Sequence, residues 1–306
     1  MDSVPYEFCH DVFWTLCKDI YSCKRIAKKL TGLWKSAAEE YAKTVIILSL
    51  GIWKNVDGEW MCTPYGGGSD GRLPETMDEL LSMDRRFVRF HCFCVGQGYS
   101  RPYRRFSTSK EELITRLFPL VNSRLMPYNS SFEIDQSCGK EEGLEYLQLF
   151  RHLISFHNLS ILYLGPESEA FLATHAKNNT QLRSCILYGT WPESDEMEQL
   201  IIDLLITRKI KFDLCKVTVK IAQTVLRLWL EGAHCGYIYG PIGVTRDELM
   251  EIAVPADITR HEECYPLDDR NIFSITWSKP DGSCIECDVD YDNGTMRFRD
   301  ATDSKE

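Results

Sequence analysis

The sequence predicts an α/β protein, α+β overall, with an N-terminal helical unit, a βα body and a C-terminal antiparallel β meander. Three observations carry this prediction. Apolar residues recur at three- and four-residue steps from Phe8 to Tyr41, the period of a helix. Runs rich in Val, Ile and Leu then alternate with helical patterns between residues 131 and 230. Beyond residue 270 the period shortens to two, and Pro-Asp-Gly and Asp-Asn-Gly turns separate the runs.

In order along the chain, residues 5–42 read as two helices. The first places Phe8, Val12, Phe13, Leu16 and Ile20 on one stripe, and the second places Cys23, Ile26, Ala27, Leu30, Trp34, Ala37, Ala38 and Tyr41. Lys18, Lys24, Arg25, Lys28, Lys29 and Lys35 fall off the stripe, so this segment is basic. Residues 44–53 read as a strand, Val56-Asp57-Gly58-Glu59 as a turn, and Trp60 begins the return. Residues 65–73 read as a loop in which Gly66, Gly67 and Gly68 supply positive φ. A short helix over 74–83 and a strand over 86–95 follow. A helix over 109–121 opens with Ser109 and Glu112 in the spacing of a capping box.

Strands are then expected at 131–134, 159–164, 182–188 and 210–216, with helices at 141–155, 167–177, 194–207 and 220–230. The strands recur at roughly 24 to 29 residues, the range of leucine-rich repeats, in which each βα unit stacks on the next. Such units imply a mostly parallel sheet with right-handed crossovers. Strands at 272–277, 283–291 and 295–299 form the meander, and 301–306 is a polar, frayed tail. The expected organisation is a helical unit over 1–42 and an α/β body over 43–300. The body holds repeat-like units near 131–230 and the meander over 270–300.

Composition narrows the function. The chain has 306 residues, 44% of them apolar, enough for a sizeable core. A net charge of −10 argues against duplex nucleic acid, whose phosphates demand Lys and Arg, and against anionic membrane surfaces. Asp2, Glu7, Asp11 and Asp19 interrupt any leader-like apolar run, and residues 45–53 are too short to span a bilayer. The chain is therefore expected in the cytoplasm and/or nucleus, with its thirteen cysteines as reduced thiols.

The chemical candidates weaken on inspection of their spacing. Cys284-x-x-Cys287 is a lone pair, and strand alternation sends Cys287 to the apolar face with Ile285 and Val289. Cys284 goes to a wet face with Glu286, Asp288 and Asp290, read as a solvated edge. In His91-Cys92-Phe93-Cys94, alternation puts both cysteines on the core face with Val88 and Phe90. His234-Cys235 do not face each other on a regular element. Gly96-Gln-Gly98-Tyr-Ser-Arg101 and Gly240-Pro-Ile-Gly243 both lack the residues of a phosphate loop. No catalytic residue, cofactor or metal is expected.

The N-terminus resembles a degenerate F-box. Val4-Pro5-Tyr6-Glu7 matches that family's opening motif with Val for Leu, Phe8, Val12 and Leu16 follow at its apolar positions, and Ile26, Leu30 and Trp34 occupy its later helix. The family's central Leu-Pro-x-x-Asp-Leu turn is absent, and Thr31-Gly-Leu-Trp34 stands where a basic residue usually precedes Trp. With Asp84-Arg-Arg-Phe-Val-Arg89, the leucine-rich middle and Tyr291-Asp-Asn-Gly294, the wider chain is similar to the nematode F-box and F-box-associated proteins. The resemblance implies a non-enzymatic, protein-binding substrate receptor of a cullin–RING ubiquitin ligase. Val4, Pro5, Glu7, Phe8, Val12, Leu16, Ile26, Leu30 and Trp34 would bind the Skp-type adaptor subunit, and the α/β remainder would hold an unknown protein substrate. The alternatives are a thiol-dependent enzyme and an interaction protein that has lost adaptor binding.

Overall fold

A computed structural model describes residues 5–16, 20–67, 73–84, 86–96, 105–126, 128–153, 155–208, 210–213, 215–233, 237–267 and 270–300. The chain forms an α/β fold with mixed sheets and a C-terminal antiparallel meander, as the periodicity predicts. It divides into two units, one ending at Asn158 and one beginning at Leu159. This boundary falls inside the α/β body expected over 43–300, and the helices of 5–44 belong to the first unit.

In the first unit, α1 (Tyr6–Leu16), α2 (Ile20–Ala27) and α3 (Gly32–Thr44) precede β1 (Ile46–Lys54). The second expected helix is thus two. A turn over 28–31 breaks it, and Gly32 adopts φ +58°, a conformation that interrupts a helix at little steric cost only in glycine. Next come β2 (Trp60–Gly67), α4 (Met77–Ser82), β3 (Val88–Val95) and β4 (Phe106–Thr108). Gly66 and Gly67 have the expected positive φ but lie in β2 rather than a loop; a Cβ on Gly66 would sit 2.6 Å from the Ile47 carbonyl oxygen. α5 (Lys110–Glu112) runs through a π-helical turn, Leu113–Leu117, into α6 (Phe118–Arg124). β5 (Ser131–Ile134) and α7 (Lys140–Phe150) follow.

The strand order of this unit is β5-β3-β1-β2-β4, with β1–β3 and β3–β5 parallel and β1–β2 antiparallel. Leu48, Leu50, Ile52, Phe90, Phe93, Val95, Phe132 and Ile134 share one buried face. Phe93 and Phe132 pack there on Phe150 of α7, at ring distances of 6.1 and 5.4 Å. The helices α1–α3 build a second small core from Cys9, Phe13, Cys23, Ala27, Ala37, Ala38, Tyr41, Ala42 and Val45, which reaches Ile47 and Phe87. Cys23 is disulfide-bonded, which corrects the expectation that all thirteen cysteines are thiols.

β6 (Asn158–Leu162) starts at the boundary, and the second unit continues with α8 (Pro166–Asn178), β7 (Ser184–Tyr188), α9 (Asp195–Arg208), β8 (Lys211–Asp213) and β9 (Val217–Thr218). α10 (Val219–Leu230), β10 (Ile238–Gly243) and α11 (Arg246–Glu251) come next. β11 (Thr259–Leu267), β12 (Arg270–Ser278), β13 (Cys284–Asp290) and β14 (Thr295–Asp300) close it. The strands expected at 159–164, 182–188 and 210–216 are neighbours in one sheet, ordered β6-β7-β8-β10 and then β14-β13-β12-β11. β7–β8 and β8–β10 are parallel. Strand starts at Ser131, Asn158, Ser184, Lys211 and Ile238 keep a step of 26 to 27 residues, so β10 continues the repeat. α8 packs beside α9 and α9 beside α10, the arrangement that right-handed crossovers between neighbouring parallel strands produce. Leu159, Ile161, Cys185, Leu187 and Phe212 are buried on alternate positions, while Ser160, Leu162, Ile186, Tyr188 and Asp213 on the opposite face are half-buried.

Two sequence readings change in this unit. β13 lies between β12 and β14, so it is no edge. Cys287, Ile285 and Val289 are buried as expected, but Asp288 and Asp290 are buried as well. Asp290 accepts from the Asn293 amide at 3.0 Å and from Asn293 Nδ2 at 2.8 Å in the turn that follows, and cross-strand register explains Asp288. Asp288 faces Arg297 and Glu286 faces Arg299, whose Nη2 lies 2.7 Å from Glu286 Oε2. Arg297 Nη2 donates to Asp288, so the alternating acids meet alternating arginines.

Candidate functional sites

The adaptor-contact residues expected from the sequence are unequally placed. Val4 lies outside the described residues, as do the side chains of Glu7 and Leu16. Pro5 is exposed, and its carbonyl accepts from the Phe8 amide at 3.1 Å to start α1. Val12, Ile26, Leu30 and Trp34 are half-buried, and the last three pack against the helical core. Phe8 is 51% exposed and stands edge-on to Trp34, ring centroids 6.4 Å apart. Trp34 in turn meets buried Phe13 at 6.0 Å. Most of the stripe therefore holds the unit together, and Phe8 projects from it. Leu33, 38% exposed, is a further outward apolar side chain that helical periodicity assigns to no stripe. Lys24, Arg25, Lys28, Lys29 and Lys35 are exposed, as expected of the polar face.

These helices are tied to the sheet by a buried polar contact. The Arg89 guanidinium on β3 is 3% exposed and donates from Nε to the Tyr41 hydroxyl at 3.0 Å. Burial lowers the Arg89 pKa to about 10, against the opposing influence of Tyr41.

A second cluster lies on the sheet face opposite α7. Between Leu48–Phe90 and Ser49–Cys92 the parallel register slips by one residue, so His91 forms a β-bulge. A one-residue slip sends every later side chain to the other face. Phe90 and Phe93 consequently share the core face, at 6.4 Å. Cys92 and Cys94 leave that face, which corrects the alternation argument from the sequence. They meet Ser131 and Glu133 of β5 in register and Ser49 and Gly51 of β1 on the other side, with Tyr65 and Thr63 of β2 beyond. Cys92 Sγ lies 3.3 Å from Cys94 Sγ, Tyr65 Oη lies 3.1 Å from Cys94 Sγ, and Glu133 Oε2 lies 3.8 Å from Cys94 Sγ. The hydrogen bond with Cys94, aided by Ser131 and Tyr65, outweighs burial and lowers the Cys92 pKa to about 7. By contrast, burial drives Cys62 and Cys215 up to about 12, where they are inert as nucleophiles.

The second unit has a cleft of about 470 Å³ beside the C-terminal end of β7, where parallel α/β sheets commonly hold ligands. Trp191, Glu193, Glu198, Lys216 and Thr218 line it, and Lys216 Nζ pairs with Glu193 Oε2 at 2.5 Å. Gly240 and Gly243, weighed as a phosphate loop, instead lie in β10. A Cβ on Gly240 would fall 1.9 Å from the Cys215 carbonyl oxygen, so the glycine serves close backbone packing. His234-Cys235 and residues 97–101 lie outside the described residues.

No helix among the described residues is long and apolar enough to cross a membrane. No family model matches the chain, and no curated protein matches it either.

Proposed function

We propose that the chain is a non-enzymatic protein-binding module in which α1–α3 dock on a partner and the repeat-like βα sheet holds a second protein. The observation that carries this reading is Phe8, 51% exposed on α1 and outside the buried cluster that Cys9, Phe13, Ala37, Ala38 and Tyr41 form. A large exposed aromatic is the kind of anchor that protein interfaces bury. The half-buried face of β6, β7 and β8, bearing Ser160, Ile186, Tyr188 and Asp213, supplies the extended surface typical of stacked repeats. Together with the resemblance of Pro5 to Trp34, this supports a substrate receptor of a cullin–RING ligase, with the Skp-type adaptor on the helices.

The test is a binding measurement between the purified full chain and a Skp-type adaptor, in the wild type, Phe8→Ala and Leu33→Asp. Both side chains are exposed enough that the fold should persist by circular dichroism. Binding by the wild type with a loss of about tenfold or more in Phe8→Ala supports the reading. Absence of binding, or equal binding by all three, refutes adaptor docking. A thiol-dependent enzyme is the second reading, favoured by the lowered Cys92 pKa. A substrate-dependent activity abolished by Cys92→Ser in a folded chain would establish it.

A further inference from the structure

We propose that Cys92, Cys94 and Glu133 form a binding site for a thiophilic divalent cation, with zinc the best chemical fit. Their ligand atoms lie within 4.8 Å of one another, contributed by two adjacent parallel strands in fixed register. Tetrahedral zinc, with zinc–sulfur bonds of about 2.3 Å, sets two coordinating sulfurs roughly 3.8 Å apart and a sulfur and a carboxylate oxygen roughly 3.5 Å apart. The observed separations are 3.3 Å between the sulfurs and 3.8 Å from Cys94 Sγ to Glu133 Oε2. These two separations each need only a few tenths of an ångström of side-chain rotation, and the third, between Cys92 Sγ and the Glu133 carboxylate, lies within 4.8 Å. Two sulfurs and one carboxylate are a donor set that suits zinc better than calcium or magnesium, which take oxygen ligands. Three protein ligands leave a fourth position for water or a further donor, and Tyr65 Oη already stands 3.1 Å from Cys94 Sγ.

The surroundings are those of a site rather than of a core. The bulge at His91 removes both cysteines from the aromatic face, where they would have been small apolar fillers. The rows that flank them carry Ser49, Thr63, Tyr65 and Ser131. Thr63 is 3% exposed, and its hydroxyl has no hydrogen-bond partner, an expensive arrangement for a merely structural sheet face. Cys92 and Glu133 are only half-buried, which leaves an approach for the ion. The Cys284–Cys287 pair shows the contrast: Cys287 is wholly buried on one face and Cys284 half-buried on the other.

The experiment uses the full chain, reduced and stripped with a chelator under anaerobic conditions, and titrated with Co²⁺ and then Zn²⁺. The expected result is one Co²⁺ per chain with a thiolate-to-cobalt charge-transfer band, displaced by Zn²⁺. Cys92→Ser and Cys94→Ser should each weaken binding at least about tenfold and lose the band, and Glu133→Gln should weaken it about tenfold. Cys284→Ser should bind as the wild type does. Alkylation of the wild type, read by mass spectrometry, needs no variant to fold. Zn²⁺ should protect Cys92 and Cys94 and leave exposed Cys264 reactive. Absence of stoichiometric binding, binding unchanged in Cys92→Ser and Cys94→Ser, or equal alkylation with and without Zn²⁺ would overturn the proposal. None of these readouts involves the adaptor, so the site and the docking reading stand or fall separately.

Discussion

His175 on α8 is fully buried, and neither ring nitrogen has a hydrogen-bond partner. Its ring packs on Phe171 at 4.5 Å, and burial lowers its pKa from 6.5 to about 4. The folded chain thus holds the neutral form, while the unfolded chain takes up a proton near the ordinary value. Between these two values the unfolded state binds more protons, so stability is full above about pH 6.5 and falls as pH drops towards 4. The expected loss across that window is roughly 3 kcal/mol from this one group. His175→Leu should flatten the acid limb. Urea midpoints at about pH 4.5 and about pH 7 would check it, and an unchanged difference between them would count against the assignment. A second residue-scale prediction concerns the buried guanidinium of Arg89. Tyr41→Phe removes an acceptor from a charged donor and should cost about 1.5–3 kcal/mol. Replacing both groups, as in Tyr41→Phe with Arg89→Met, should cost less than the sum of the single changes, because no buried charge is then left short of its acceptor. Denaturation of the four proteins closes that cycle.

At the scale of elements, local chemistry and close packing divide the work. The capping box Ser109–Glu112 was legible from spacing alone, and both of its reciprocal bonds are present. Thr245–Glu248 forms the same motif at the start of α11, a six-residue helix too short for periodicity to reveal. Ser109→Ala and Thr245→Ala should each lower stability by about 1 kcal/mol, measured by thermal or urea unfolding. Gly240 is a different case, since its position in β10 is fixed by a carbonyl rather than by a turn. Gly240→Ala must push Cys215 or β10 aside and should cost about 1–3 kcal/mol or more by the same measurement. A cost near zero would mean that the backbone approach at Cys215 relaxes freely. The β-bulge at His91 belongs to this scale too, because one unpaired residue reassigns Cys92 and Cys94 from core to polar face.

For the molecule as a whole, the N-terminal helices are both a candidate docking element and part of the first unit's interior. Their core reaches Ile47 and Phe87, and Tyr41 covers Arg89. A chain beginning at Val45 would uncover these residues and leave the buried guanidinium without that acceptor. It should therefore unfold at a lower urea concentration than the full chain, and loss of adaptor binding by such a truncation would be ambiguous. An unchanged midpoint would show instead that α1–α3 are dispensable to the fold. This is why exposed single positions, Phe8 and Leu33, are the discriminating variants.

Read alone, the sequence carries the class of fold, the repeat step and the meander, because these follow from periodicity and turn chemistry among near neighbours in the chain. It located β5 to the residue and placed the opening of the 109–124 helix through its cap. It did not reveal β10, β11 or α11, which are short or lack a clean alternation, nor the turn before Gly32, where helical spacing continues across the break. Which faces the strands present is settled by how they pair with one another. Alternation counts residues along one strand, but facing is set by register with the next strand. The slip between β1 and β3 lies in neither sequence alone. The same reason applies to Asp288, which alternation puts on a wet face and Arg297 opposite it buries, and to Gly240, whose constraint is a carbonyl 25 residues earlier in the chain.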